Sequence, residues 1–136
     1  MNIRNAAPGD EDAVVGLWHV CGLMVPHNNP VEDFRFALGK PASDILVAEN
    51  DGIAGAVMVG HDGHRGWLYY IAVHPARRKQ GIGRELVSAA ERWLQQRGVA
   101  KVQLMVRETN AEVAAFYRRI GYDFMPRINL HKSLKP

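Results

Sequence analysis

The chain has 136 residues, of which 47% are hydrophobic and 23% are charged, and its formal net charge at pH 7 is +3. This length and composition predict one soluble domain over residues 1–136 and exclude a fibrous or disordered protein. The single cysteine, Cys21, excludes an intrachain disulfide, and no apolar run has membrane-spanning length. We therefore expect a cytoplasmic protein that does not bind membrane or nucleic acid, although its mild basicity favours an anionic ligand.

The N-terminal half predicts a strand, two helices and a β-hairpin. MNIRNAA favours a short strand, after which Asp10 is a plausible helix cap. The apolar face of that first helix would contain Val14, Leu17, Trp18 and Cys21. PHNNP interrupts the pattern, and a shorter helix is expected around 31–38. DILVAE and IAGAVMVG form a hairpin around Asn50-Asp51-Gly52, because Asp-Gly supplies the positive φ angles of a tight turn.

The C-terminal half alternates strands and helices. A strand over 67–73 precedes an amphipathic helix that Gly98 can end. KVQLMVRE predicts the next strand, and Thr109 or Asn110 would cap a last helix that Gly121 ends. YDFMPRINLHKSL would supply one or two closing strands. The order is roughly β-α-α-β-β-β-α-β-α-β-β, which is an α/β fold of the α+β type with a mixed sheet and helices on its faces.

HPARRKQGIGRE, between the strand over 67–73 and its helix, combines cations with two closely spaced glycines. The first N–H groups of a helix have no intrahelical partner and, with the helix dipole, they bind anions. Gly81 and Gly83 carry no Cβ that would hold a ligand away. The surrounding cations are Arg77, Arg78, Lys79 and Arg84. This predicts a phosphate or pyrophosphate site. It is not a Walker loop, because no Lys-Ser or Lys-Thr follows a glycine, and it is not a dinucleotide fingerprint, because Leu86 stands at the third glycine.

Two motifs carry a resemblance to a known family. Arg78-x-x-Gly81-x-Gly83, before an amphipathic helix, resembles the acyl-CoA loop Q/R-x-x-G-x-G/A of the GNAT superfamily of N-acyltransferases. Asn110 followed by FYRRIGY resembles the family's N-x-x-A-x-x-F-Y-x-x-x-G-Y segment. The order of elements also agrees over nearly the whole chain, and LWHVCGL…PHNNP is similar to a small bacterial YpeA-like subgroup. The resemblance implies the GNAT acyl-CoA N-acyltransferase fold, with a splayed central strand pair.

The resemblance implies an N-acetyltransferase that moves the acetyl group of acetyl-CoA, its cosubstrate, to a primary amine. The acceptor would be a small molecule, an amino acid derivative or a protein, and a homodimer is expected. Loop amides would bind the pyrophosphate, strand residues would pair with the pantetheine arm, and an N–H near Ile71 or Ala72 would stabilise the oxyanion. The implied cofactor-binding residues are Ile71, Ala72, Val73, Arg78, Lys79, Gln80, Gly81, Ile82, Gly83, Arg84, Asn110 and Phe116.

Tyr117 occupies the family's general-acid position, where a phenol can protonate the departing thiolate. From spacing alone, Tyr117 would equally suit a core aromatic. The base is less evident, because Leu68-Tyr69-Tyr70 stands where many members place a glutamate. Glu108 is a candidate, although it also fits an exposed loop acid. Tyr69 or Tyr70 acting through water, or an amine that arrives neutral, are the alternatives.

The remaining polar residues give weaker signals. His27 and Asn28 lie in a region that lines the acceptor side in this family, and with Tyr70 they are the candidate substrate-binding residues. They also fit an ordinary turn. His61-Asp62-Gly63-His64 offers too few ligands for a metal, so we expect a wet, flexible loop and no metal. The alternative to an enzyme is a non-catalytic acyl-CoA-binding regulatory module of the same fold.

Overall fold

The computed structural model describes all 136 residues, Met1–Pro136. Contacts divide the chain into two units, Met1–Met105 and Val106–Pro136, and the single domain stays a prediction. The elements of the first unit are β1 Asn2–Asn5, α1 Glu11–Val20, α2 Pro30–Ala37, β2 Ser43–Glu49, β3 Ile53–His61, β4 Gly66–Val73, α3 Ile82–Gln95 and β5 Val102–Gln103. The second unit contains α4, Ala111–Arg119. No helix combines the length and the apolar character that crossing a membrane requires.

The first unit is built on a five-stranded sheet in the order β1-β2-β3-β4-β5. Every pair is antiparallel except β4 and β5, which run parallel, so the predicted mixed sheet is confirmed. The predicted hairpin joins β2 to β3, and its turn has positive φ at both Asp51 (52°) and Gly52 (92°). The predicted stop after α3 is also present, since Gly98 has φ 76° and Val99 N donates to Leu94 O at 3.1 Å.

Helices cover both faces of this sheet. A buried apolar cluster joins α1 and α2 to one face, and its members are Val14, Leu17, Trp18, Phe34, Ala37, Ile45, Val47, Ala56 and Ala72. The residue next to Ala56, Gly55, faces α3 because successive strand residues point to opposite faces. A Cβ at Gly55 would lie 2.9 Å from both Ile82 Cγ2 and Leu86 Cδ1. Glycine therefore lets the first turn of α3 lie close to the sheet.

Two predictions for the first unit need correction. Asp10 precedes α1, but its side chain makes no cap bond to that helix. Its carboxylate instead accepts from Ala7 N at 2.8 Å and pairs with Arg4 at 2.8 Å, closing the loop before the helix. The strand predicted from KVQLMVRE is also too long, since β5 contains only Val102 and Gln103. Alternating hydrophobic residues favour a strand, but β5 can form backbone hydrogen bonds only where the adjacent strand β4 lies next to it.

The second unit begins α4 with Asn110, whose Oδ1 accepts from Val113 N at 3.3 Å. Of the two predicted caps, Thr109 and Asn110, the structure therefore selects Asn110. Gly121, with φ 102°, ends the helix as predicted. The closing strands were wrong, because residues 123–136 contain no helix or strand. The apolar side chains that favoured strands there are exposed, and they are Phe124, Ile128, Leu130 and Leu134.

Candidate active site

The turn from β4 to α3 presents backbone N–H groups that the helix does not use. The first intrahelical bond runs from Glu85 N to Gly81 O at 3.1 Å, so the N–H groups of Gly81 to Arg84 have no intrahelical acceptor. Gly81 is left-handed, with φ 79° and ψ 9°, and Ile82 continues as helix. This alternation turns successive N–H groups toward one point and forms an anion-binding concavity. The turn can therefore hold a phosphate group.

The space in front of this turn is open. A Cβ built at Gly81 would meet no protein atom within 4 Å, although its positive φ strongly favours glycine. Lys79 also has positive φ, at 65°, which is uncommon for a residue with a Cβ and bends the loop sharply before the helix. The side chains of Arg78, Lys79, Gln80 and Arg84 are exposed around it. Backbone donors, positive charge and free space thus coincide.

The strand that leads into this turn has an open edge. β4 pairs with β5 only through Gly66–Val102 and Trp67–Gln103, after which no strand lies on that side of β4. This confirms the predicted splay of the central pair. The backbone of the remaining β4 residues is therefore available for an extended ligand to add as a further strand.

Near the end of this edge, the Val73 carbonyl has two donors from its own chain. Cys21 Sγ lies 3.3 Å from the carbonyl oxygen, and Arg78 Nε lies 3.4 Å away. Both contacts are weak, since one donor is a thiol and the other bond is long. Cys21 otherwise packs against the apolar cluster of α1 and α2, as predicted for a core residue.

A β-bulge interrupts β4 where it faces the middle of β3. One residue of β3, Val57, opposes two residues of β4, Tyr70 and Ile71. Tyr70 takes a left-handed conformation there, with φ 52°. Bulges re-aim side chains, and this one directs Tyr70 onto the layer formed by α1 and α2. The Tyr70 ring stacks on Trp18 with centroids 4.2 Å apart.

The hydroxyl of Tyr70 joins three elements through hydrogen bonds. It donates to Asp33 Oδ2 on α2 at 2.7 Å and accepts from Asn28 Nδ2, in the preceding loop, at 3.4 Å. Burial, followed by the bond to Asp33, raises the pKa of Tyr70 to about 12. The phenol is therefore neutral at physiological pH and acts as a fixed donor to the carboxylate.

In the second unit, Tyr117 is buried, with 4% of its surface exposed. Its ring contacts Phe116 and Tyr122 edge-on, at centroid distances of 5.1 and 5.4 Å. Burial raises the pKa of the Tyr117 phenol well above its usual value, so the group holds its proton at neutral pH. Glu108 is exposed and precedes the helix cap Asn110.

A model of the acetyltransferase (GNAT) family matches residues 13–122, which is most of the chain. The chain belongs to the GNAT family. It is 43% identical over 135 residues to the acetyltransferase ECA0875 of Pectobacterium atrosepticum, covering 98% of this chain and 96% of that protein. Membership in a family of acetyltransferases is thereby established, whereas the similarity to the YpeA-like subgroup stays a prediction.

Solved structures share the fold of this GNAT protein at low sequence identity. The aminoglycoside N-acetyltransferase AAC(6′)-Iy in complex with CoA superposes with a TM-score of 0.85 at 17% identity, covering 98% of this chain and 95% of that one. The aminoglycoside 6′-N-acetyltransferase AAC(6′)-IG of Acinetobacter haemolyticus gives 0.81 at 17% identity and full coverage of both chains. The predicted GNAT fold is therefore confirmed.

Some predicted residues of this GNAT protein have no partner at the site. His27 is exposed and makes no hydrogen bond or ion pair, and Tyr69 lies beside Trp67. In the loop that we expect to be flexible, Asp62 accepts from the backbone N–H groups of His64 and Arg65 and from Trp67 Nε1. These bonds, the one from Arg65 first, lower the pKa of Asp62 to about 2.

The sequence did not identify Asp33 as a site residue. It lies in the first turn of α2, where an acidic residue is ordinary because it complements the helix dipole. Its contact with Tyr70 joins residues 37 positions apart and depends on the bulge that turns the phenol. A short motif does not encode such a contact.

Proposed function

We propose that this GNAT protein transfers the acetyl group of acetyl-CoA to a primary amine of a small molecule or a protein. The observation that carries the proposal is the open, basic helix N-terminus directly after a strand with an unpaired edge. A pyrophosphate suits the first feature and an extended amide-containing arm suits the second. AAC(6′)-Iy, which has the same fold, binds CoA, and this supports the proposal.

The chain would hold acetyl-CoA mainly with backbone groups. Residues 79–84 would donate N–H groups to the pyrophosphate, with Arg78 and Arg84 adding charge. Residues 71–73 would pair with the pantetheine arm, and the long contact from Arg78 to the Val73 carbonyl would yield to it. Asn110 and Phe116 are assigned to the same ligand from the family motif. The Asn110 Oδ1 already caps α4, so its amide nitrogen is the group we assign to the ligand.

The bound acetyl-CoA supplies a thioester whose C–S bond breaks as the C–N bond to the amine forms. The N–H of Ile71 or Ala72 would donate to the carbonyl oxygen as negative charge develops on it. Tyr117 would give its phenolic proton to the departing sulfur. Its raised pKa keeps that proton in place until the step requires it. Overall, an ammonium ion and a thioester give an amide, a thiol and one proton.

The proton lost by the incoming ammonium needs an acceptor. Glu108 is the proposed base, because an exposed carboxylate can pass the proton directly to water. Tyr70 acting through water is the second candidate, but its pKa of about 12 makes it a poor base at neutral pH. An amine that arrives neutral would need neither group. The effect of Glu108→Gln on the pH profile of kcat/KM separates these routes.

The first test is calorimetric titration of acetyl-CoA into the protein, with ATP as the anionic control. We expect saturable binding of acetyl-CoA at about micromolar Kd, or about −8 kcal/mol, and no comparable binding of ATP. Thiol release from acetyl-CoA is then measured with each member of a panel of amines that includes amino sugars, alkyl diamines and lysine peptides. Equal binding of both nucleotides, or of neither, would remove the basis of the proposal.

The second test is Tyr117→Phe, which removes only the hydroxyl group. We expect kcat to fall by about 10²–10⁴ with unchanged acetyl-CoA affinity. Tyr122→Phe is the matched control, since its ring lies against Tyr117 in the same unit. A wild-type protein that binds acetyl-CoA but acetylates nothing in the panel would favour the non-catalytic module instead.

A further inference from the structure

Asp33 is a half-buried carboxylate that lacks a positively charged partner. Asp33 is not a member of the ion pairs Arg4–Asp10, Arg4–Glu49 and Arg35–Glu11. The nearest cation in sequence, Arg35, is thus engaged by Glu11, at 2.6 Å. Asp33 Oδ2 accepts only from the neutral Tyr70 hydroxyl, and Oδ1 accepts no hydrogen bond. A partly desolvated negative charge with a free acceptor atom attracts a cation.

The position of this carboxylate is fixed from several sides. α2 begins at Asn29, whose side chain accepts from Val31 N and Glu32 N, so the turn that carries Asp33 is well defined. Tyr70 is held by its stack on Trp18 and by the bulge in β4. The residue after Tyr70 is Ile71, whose backbone we assign to the thioester. The Tyr70 side chain therefore connects Asp33 to the part of β4 where transfer would take place.

We propose that Asp33 binds the positive charge of the amine acceptor and makes cationic alkylamines the preferred acceptor class of this protein. Tyr70 is the positioning residue, because its hydroxyl fixes one carboxylate oxygen and leaves Oδ1 to the ammonium group. Alkylamines are almost fully protonated at neutral pH, so a carboxylate concentrates them at the site. This inference rests on the proposed acetyl transfer and names the acceptor class for it.

The test is Asp33→Asn, which retains an acceptor oxygen for Tyr70 and removes only the charge. Two acceptors are compared in steady state, an alkyl diamine and an arylamine that is uncharged at neutral pH. We expect KM for the diamine to rise about tenfold to a hundredfold, as for the loss of a hydrogen bond to a charged group, with little change in kcat. The KM for the arylamine should change less than twofold.

Asp12→Asn is the matched control, since it removes the same charge from an exposed position in the first turn of α1. It should leave both KM values unchanged, which separates a local contact from a change in net charge. Tyr70→Phe should raise the diamine KM by a smaller factor than Asp33→Asn, because the carboxylate remains but is no longer fixed. A purely structural role for Asp33 would lower thermal stability without distinguishing the two acceptors.

The outcomes separate this inference from the proposed function. If wild type acetylates both amines and Asp33→Asn affects them equally, the acceptor assignment is overturned while acetyl transfer stands. A fall in kcat for both amines with constant KM overturns it too, since it would make Asp33 part of the proton transfer. If wild type binds no acetyl-CoA in the calorimetric titration, the proposed function fails first and the inference fails with it.

Discussion

Two regions along the second half of β4 offer a ligand different chemical groups. The turn between β4 and α3 offers backbone N–H groups, an open strand edge and a left-handed glycine, with exposed cations around them. The second region, which we propose receives the acceptor, consists of the side chains of Asn28, Asp33 and Tyr70 from three segments. The first region is basic and suits an anion, whereas the second carries an uncompensated negative charge.

This difference explains what each region reveals in the sequence. A backbone site requires glycine at fixed positions, because a Cβ would alter the conformation or fill the space, and that requirement leaves a short motif. A side-chain site requires only that distant residues meet after folding, and many combinations satisfy it. Substitutions in each region test whether the first depends on backbone geometry and the second on a single hydroxyl–carboxylate contact.

The largest effect should come from Gly81→Ala. A Cβ at this position strains a backbone with φ 79° at the residue where the unpaired N–H groups begin. We expect acetyl-CoA affinity to fall about tenfold to a hundredfold, as when one hydrogen bond to a charged group is lost. Calorimetric titration at fixed salt measures the change.

Gly98→Ala is the control for that variant, because Gly98 has nearly the same φ, 76°, and equally open surroundings at the other end of α3. Both variants should lose about 1–2 kcal/mol of unfolding free energy, the cost of a left-handed residue with a Cβ. Equal losses of acetyl-CoA affinity in the two variants would mean that strain, and not the anion site, is responsible.

Gly55→Ala should reduce stability by about 1–3 kcal/mol, which is the range for overpacking a close contact. The added Cβ meets two side chains of α3 at 2.9 Å and the Ala72 carbonyl oxygen at 3.0 Å. The backbone oxygen gives way less easily than the side chains. The first turn of α3 should move outward, so acetyl-CoA affinity should fall as well. Urea unfolding and calorimetry measure the two effects.

Gly16→Ala, in the interior of α1, separates the loss of stability in Gly55→Ala from its loss of acetyl-CoA affinity. A Cβ there meets nothing within 4 Å, and alanine should stabilise the helix by about 0.5–1 kcal/mol. The double variant should regain stability without regaining affinity. Recovery of both would show that the affinity loss came from partial unfolding and not from the displaced turn.

The sequence was informative where structure depends on neighbours along the chain. The positive φ angles at Asp51 and Gly52 and the helix ends at Gly98 and Gly121 were predicted, because turns and helix ends are local. The order of elements up to α4 was predicted from local signals, and the splayed pair was predicted from the family resemblance. The turn that we propose binds acyl-CoA depends on chain neighbours too, since its donors are consecutive N–H groups.

Sequence-based prediction failed where a structure depends on a contact with a residue or strand far away along the chain. β5 is shorter than its alternation suggests, and the apolar residues Phe124, Ile128 and Leu130 lie in a segment without strands. A strand requires an adjacent edge, and hydrophobic alternation does not report whether one exists. Asp33 was missed for a related reason, since its importance depends on Tyr70 and not on its own neighbours.

A smaller effect is expected for Arg78→Gln. The guanidinium is exposed and makes one long contact, from Nε to the Val73 carbonyl at 3.4 Å. Exposed charges contribute about 1 kcal/mol or less, so acetyl-CoA affinity should fall about threefold to fivefold. Arg92→Gln, in the last turn of α3, removes the same charge and should have no effect. The difference between the two should shrink at high salt, since salt screens exposed charges.

The smallest effect concerns Tyr70 and alkaline pH. Its pKa is about 12 in the folded protein, above the usual value of about 10, so the folded state holds the phenolic proton more tightly than the unfolded state. The stability this provides is complete below pH 10 and is lost as pH rises from about 10 to about 12. Tyr70→Phe should therefore be less stable than wild type at pH 8, and the gap should narrow as pH approaches 12. Urea unfolding of both proteins at several pH values measures that gap. A gap independent of pH would mean that the Tyr70 phenol is neither desolvated by burial nor bonded to Asp33 as the geometry requires, and that packing on Trp18 alone fixes the ring.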